Sequence, residues 1–127
     1  MPTPVMPTPA MPTSADAIEG WHAHIYYDPA TRDRAATLRE WIGARFTAQI
    51  GRWHDVPVGP HPQAMYQLAF GNAEFPTLVP FLALNRLGLT VLVHPNTKRP
   101  RDDHAVHALW LGAVLPLNVG MLPETAD

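Results

Sequence analysis

The chain has 127 residues, of which 46% are apolar and 16% charged, and its formal net charge is −2. That is one globular domain with a modest core, and the near-neutral balance without a basic cluster excludes a nucleic-acid footprint. There are no cysteines, which excludes disulfides, thiolate metal sites and a cysteine nucleophile.

Residues 1–19 repeat Met-Pro-Thr imperfectly and read as a flexible, extended, Pro-rich leader. No basic segment precedes an apolar run there, so no signal peptide is expected. Residues 21–28 read as a strand that Asp28-Pro29 ends, with His22, His24 and Tyr26 on one face and Trp21, Ala23, Ile25 and Tyr27 on the other. Over 31–48 the spacing of Ala35, Leu38, Ile42 and Phe46 predicts a helix, with Asp28 or Thr31 as its cap. A weaker strand is expected over 49–58, then a Pro-rich turn over 58–62 and a better strand over 64–71. A second helix is expected over 77–87, with Thr77 as N-cap, Pro80 in its first turn and Gly88 as its stop. The clearest strand is 89–94, ended by Pro95-Asn96; a polar loop over 97–104 and a short strand within 105–111 complete the pattern. Residues 78–84, the longest apolar stretch, contain Pro80 and are too short to cross a bilayer. A cytoplasmic protein without a membrane or nucleic-acid partner is the expectation.

The order β-α-β-β-α-β plus one piece predicts an α+β, ferredoxin-like domain over 20–118, with residues 119–127 as a tail. Its expected form is a four-stranded antiparallel sheet with both helices on one face and a short extra C-terminal strand. Strands one and three are expected to be central and parallel, with strand four antiparallel beside strand one. In that layout His22 and His24, at the start of strand one, meet His94 at the end of strand four. His61, His104 and His107 are carried toward the same edge, and His54 sits less certainly on the weak strand. Up to six of the seven histidines then converge on a metal or catalytic site, against the plainer reading of each as a surface or hydrogen-bonded residue. Imidazoles suit Zn, Fe, Cu or Ni. Two histidines with a carboxylate suit non-haem Fe(II), and three histidines suit zinc hydrolysis equally well. No compelling carboxylate partner stands out: Asp28 is at the wrong end of its strand, and Asp102 and Asp103 fall in a loop.

The segments WHAHIYYD (21–28), GRWHDVPVGPHP (51–62), MYQLAF (65–70), LNRLGLTVLVHPNT (84–97) and DDHAVHALWLG (102–112) run in order over about residues 20–118. Together they resemble the small bacterial and fungal DOPA 4,5-dioxygenase family, extradiol enzymes that cleave catechol rings. The resemblance implies ferredoxin-like subunits forming a homodimer, a mononuclear non-haem Fe(II), and O₂ with a catechol such as L-DOPA as substrates. It implies His22 or His24 together with His94 as metal ligands. It makes His61 and His107 candidates for a third ligand or for acid–base work, with His22 and Tyr66 as further catalytic candidates. Tyr26 and Tyr66 would donate to the diol, and Arg52 or Arg86 would receive a substrate carboxylate. The competing readings are a zinc-dependent hydrolase using the same histidines, or a non-catalytic ferredoxin-like dimer that binds a small ligand or metal.

Overall fold

The computed structural model describes residue 8 and residues 10–126. Most of the Met-Pro-Thr repeat, residues 1–7 and 9, therefore lies outside the described residues. Along the chain come β1 (Gly20–Tyr27), α1 (Arg32–Arg45), β2 (Gln49–Ile50), β3 (Ala64–Phe70), α2 (Phe75–Asn85), β4 (Val91–Asn96), α3 (Pro100–Ala105) and β5 (Leu109–Leu111). Single 3-10 turns lie at Ala15–Ala17 and Val119–Met121.

The five strands make one antiparallel sheet in the order β2-β3-β1-β4-β5. The short C-terminal strand joins the same sheet beside β4, so the sheet has five strands rather than four. Strands β1 and β3 are adjacent and antiparallel, pairing from Trp21↔Phe70 to Tyr27↔Ala64, which corrects the expectation that they run parallel. The crossover through α1 returns the chain along β2 in the direction of β1, and the reversal into β3 then opposes both.

Alternation along β1 gives the sheet two unlike faces. Ala23, Ile25 and Tyr27 pack with Tyr66, Leu68 and Phe70 of β3, Val91 and Val93 of β4, Ala35, Leu38 and Ile42 of α1, and Leu78 and Leu82 of α2. This is the main core, and both long helices cover it. On the other face Tyr26, Met65 and Leu92 meet Leu117, with Trp110, Leu115 and Val119 packed around them. The C-terminal segment is the lid of that smaller core, and the histidines lie beside it.

Several boundaries differ from expectation for local reasons. The weak strand shrinks to Gln49–Ile50 and an isolated bridge between His54 and Met65. Between them Trp53 turns onto the Arg32 guanidinium, 4.0 Å from its ring, and Asp55 accepts from Tyr27 and Arg32. Helix α2 starts after Glu74 rather than at Thr77, so Pro76 takes the first turn and Pro80 lies inside the helix. There Pro80 deprives the Pro76 carbonyl of its helical donor. The helix ends at Asn85, before Leu87 (φ 55°) and Gly88 (φ 79°) turn the chain into β4. Strand β4 continues through Pro95 instead of stopping there. Tyr26 N donates to Thr90 O directly opposite, so the hydrogen-bonded pairs of β1 and β4 alternate through His22↔His94 and miss Pro95. On its other side β5 reaches only Val93, so no partner strand needs the missing N–H. The expected polar loop contains α3, whose buried Asp103 accepts from Thr97 N (2.8 Å) and Thr97 Oγ1 (2.6 Å). No helix among the described residues is long and apolar enough to cross a membrane.

Leu38 is fully buried between α1 and the sheet. Leu38→Ala is expected to lower stability by about 2–5 kcal/mol, read as a fall in the urea midpoint at unchanged slope. A loss well under that range would mean that the α1 face is not part of the cooperative core.

Candidate metal centre

Two constraints build the site. Alternation puts His22 and His24 on the face away from the long helices, and the antiparallel register sets His94 of β4 directly opposite His22. One ring nitrogen from each of the three lies within 4.8 Å of the others. His24 Nε2 and His94 Nε2 are 3.1 Å apart, and both residues are buried. His94 Nδ1 is 2.9 Å from the Pro95 carbonyl oxygen and donates to it. That bond assigns the tautomer and leaves His94 Nε2 as a lone pair facing His24.

Two more imidazoles close around this group. His61 comes from the Pro-rich turn before β3, which enters at the Tyr27 end of β1 and folds back over the sheet. Its ring centroid is 4.2 Å from that of His24, and its Nδ1 is 2.6 Å from the Tyr26 hydroxyl. Asn118 N donates to Pro60 O at 2.9 Å, tying this turn to the C-terminal lid, and Trp110 stacks over Tyr26. His104 arrives on α3, with its ring 3.9 Å from that of His94. Its Nδ1 donates to the Pro100 carbonyl at 2.7 Å, which leaves its Nε2 as a lone pair too.

Burial among like neighbours keeps these rings neutral. His94 is pushed down to about 3 and His61 to about 4, first by desolvation and then by the positive charge that His104 would carry. His24 is lowered strongly by desolvation and then by the charges that His61, His94, His22 and His104 would carry, and desolvation also lowers His22 and His104. Neutral imidazoles are the form that ligates a metal. With His94 Nε2 fixed as an acceptor, His24 Nε2–H must donate to it, and His24 Nδ1 is then a buried nitrogen without a partner. Such a group costs about 1–3 kcal/mol. His24 Nε2 and His94 Nε2, 3.1 Å apart, are close enough to share one ion at ligand distances of about 2.1 Å. His22, His24 and His94 therefore fit a divalent metal. Asp103 is held by Thr97, and among the described residues no carboxylate joins the three.

Other expected site residues lie elsewhere. His107 is exposed; α3 ends at Ala105, so the spacing from His104 no longer keeps both on one helical face. His107 instead borders a separate concavity with Thr13, Trp21 and Thr97. Tyr66 is buried on the helix face, donating to the Ala35 carbonyl at 2.8 Å, because its alternation in β3 points it away from the histidines. Arg52 is exposed on the stretch that runs along β3, on the far side of β3 from β1. Arg86 donates to Leu89 O and supports the turn into β4. His54 stands at the isolated bridge with Met65. His104, not His107, joins the cluster, and no local sequence signal separates the two because the end of α3 at Ala105 decides it.

The family model for the "Dopa 4,5-dioxygenase family" matches residues 21–121. The chain belongs to this family. It is 33% identical over 119 residues to a DOPA 4,5-dioxygenase from Amanita muscaria, an alignment that covers 87% of this chain and 52% of that protein. It is 35% identical over 111 residues to an uncharacterized 21.2 kDa protein from Botryotinia fuckeliana, covering 78% of this chain and 61% of the other. The chain thus spans little more than half the length of these curated relatives. A crystal structure of a candidate dioxygenase from Nostoc punctiforme is 54% identical, with a TM-score of 0.86, covering 87% of this chain and 96% of that one. The family match includes all five clustered histidines and Tyr26, so the site lies within the shared domain.

Two outcomes are expected. Unfolded histidines titrate near 6.5, whereas folded His61 and His94 titrate near 4 and 3. Between those limits the unfolded state binds more protons, so metal-free protein should lose stability as pH falls from about 6.5 toward 3 and gain none from these groups above it. Urea midpoints across pH 3–8 check this, and a flat profile would contradict the buried, neutral assignment. Zinc should bind stoichiometrically and raise Tm, with the effect lost in His24→Gln and His94→Gln and retained in His107→Ala, as read by calorimetry.

Proposed function

We propose that this domain is an extradiol dioxygenase that cleaves a catechol ring with O₂ at a mononuclear non-haem Fe(II) held by His22, His24 and His94. The observation that carries this reading is the convergence of these three imidazoles, one ring nitrogen from each within 4.8 Å of the others, in a chain of the DOPA 4,5-dioxygenase family. The strand order β2-β3-β1-β4, with α1 and α2 over one face, supports reading the fold as ferredoxin-like with β5 added at one edge. Fe(II) held there by His22, His24 and His94 would supply the redox chemistry that joins O₂ to a catechol.

The remaining residues handle the protons. The bond between Tyr26 and His61 can be written with either partner donating, and the two forms present His61 Nε2 as an acceptor or as a donor. As acceptor it takes a catechol hydroxyl proton, and as donor it returns one to the departing oxygen. Burial raises the Tyr26 phenol above its ordinary value, so Tyr26 stays protonated and orients His61. His104 Nε2, left as a lone pair beside His94, is a second base at the rim. The lid formed by Trp110 and Leu117 excludes water on the Tyr26 side.

A zinc-dependent hydrolase is the second reading, favoured by one observation: among the described residues the set is three histidines without a carboxylate. Anaerobic loading with Fe(II), then O₂ uptake and spectra with a catechol panel including L-DOPA, separates the two. Stoichiometric O₂ consumption with a yellow ring-opened product is the expected result. Tight iron binding without any catechol turnover would sink the dioxygenase reading. His61→Ala should lower kcat by about 10²-fold or more while leaving metal stoichiometry unchanged.

A further inference from the structure

Strands β4 and β3 flank His24 on opposite sides of β1. On the β4 side His24 Nε2 meets His94 Nε2 at 3.1 Å. The two nitrogens of an imidazole point away from one another, so His24 Nδ1 is turned from His94. It is buried and has no hydrogen-bond partner. On the β3 side Gln67 stands directly opposite His24 in the antiparallel pair. Directly opposed residues share a face, with Cβ atoms about 4.5–5.5 Å apart. The other residues that β3 sets on this face are Met65, opposite Tyr26, and Ala69, opposite His22, so Gln67 is its one polar side chain there. The outer neighbour of Gln67 is Gly51, which donates to the Gln67 carbonyl at 2.7 Å. A Cβ on Gly51 would stand 3.7 Å from the Gln67 Cβ, so glycine leaves that flank without a side chain. His24 is therefore the side chain that stands directly beside the half-buried Gln67 across the neighbouring strands.

We propose that Gln67 is a positioning residue for the metal centre, which accepts a hydrogen bond from His24 Nδ1–H through its Oε1 when His24 ligates a metal. The inference rests on the metal-binding reading of His22, His24 and His94, and not on the reaction performed there. A neutral imidazole carries one proton. While His24 Nε2–H serves His94, Nδ1 is a lone pair, and no bond joins it to Gln67. When Nε2 gives its lone pair to an ion, the proton sits on Nδ1, and a buried N–H without an acceptor opposes binding. Ligating histidines are commonly held through the second nitrogen by such an acceptor. The Pro95 carbonyl does this for His94, and no backbone carbonyl does it for His24. The Tyr26 hydroxyl is engaged by His61. Gln67 reaches Nδ1 by rotating its side chain in the room that Gly51 leaves.

The test uses zinc alone as the probe, so it needs no turnover. Zinc affinity is measured by competition with a chromophoric chelator for wild type, Gln67→Met and Gln67→Glu. Gln67→Met keeps the side-chain length and removes the amide oxygen, and it should weaken zinc binding by about tenfold or more. Gln67→Glu keeps an acceptor oxygen and should bind at least as tightly as wild type. NMR of zinc-loaded wild type supplies a readout that a merely structural role would not move. The His24 Nδ1–H resonance should be protected from exchange and show a cross-peak to the Gln67 side chain, and the protection should be lost in Gln67→Met. Unchanged zinc affinity in Gln67→Met, weakening of Gln67→Glu to the level of Gln67→Met, or a protonated His24 Nδ1 without contact to Gln67 would each overturn the inference and leave the metal centre standing. Wild type that binds no zinc would instead remove the metal-binding reading, and this inference with it.

Discussion

The pairing of β1 with β4 is the constraint on which the site depends. A strand has a side-chain period of two, so one residue of slip would move His22, His24 and Tyr26 into the helix-covered core and carry Ala23 and Ile25 outward. The apolar set Ala23, Ile25, Val91 and Val93 prevents that slip, because all four are fully buried under α1 and α2. The hydrophobic face therefore holds the register, and the register sets His22 opposite His94. The histidine cluster is a by-product of correct packing on the other side of the same strands.

Placing several imidazoles together has an electrostatic consequence. Each ring that gained a proton would repel the others and would lack solvent to stabilise it, so the group stays neutral in the fold. Neutrality removes the repulsion but leaves nitrogens that need partners. Backbone carbonyls answer at His94 and His104, the Tyr26 hydroxyl answers at His61, and His24 Nδ1 is left over. The carbonyl partners fix the lone pairs on Nε2, a supporting layer of the sort that orients metal-binding histidines. The nearest acidic side chain in sequence is withdrawn from this set, since Asp103 closes the Thr97 turn that positions α3.

The segments that bring in His61 and His104 are irregular and come from distant parts of the chain. The turn carrying His61 is tied to residues near the C-terminus through Pro60 and Asn118, and α3 is held by Arg101, which donates to Leu122 O and pairs with Glu124. The last part of the chain therefore closes the site from outside the sheet. It also supplies Leu117, whose burial completes the smaller core beneath Tyr26.

The sequence by itself determined the elements with strong periodicity: the two faces of β1, the apolar stripe of α1, and the pairing of His22 and His24 on one side. It also carried the family, since its motifs run in order along the chain. Local patterns could do this because alternation and helical spacing are properties of neighbouring residues. Tertiary structure alone decided the rest. Whether β1 and β3 run parallel or opposed depends on how many times the chain reverses between them, here once, from β2 into β3. Whether Pro95 ends a strand depends on which side its neighbour lies. Tyr66 and Tyr26 look alike in sequence, but the pleat turns one to the core and the other to the histidines. His104 and His107 were separable only by where a six-residue helix stops.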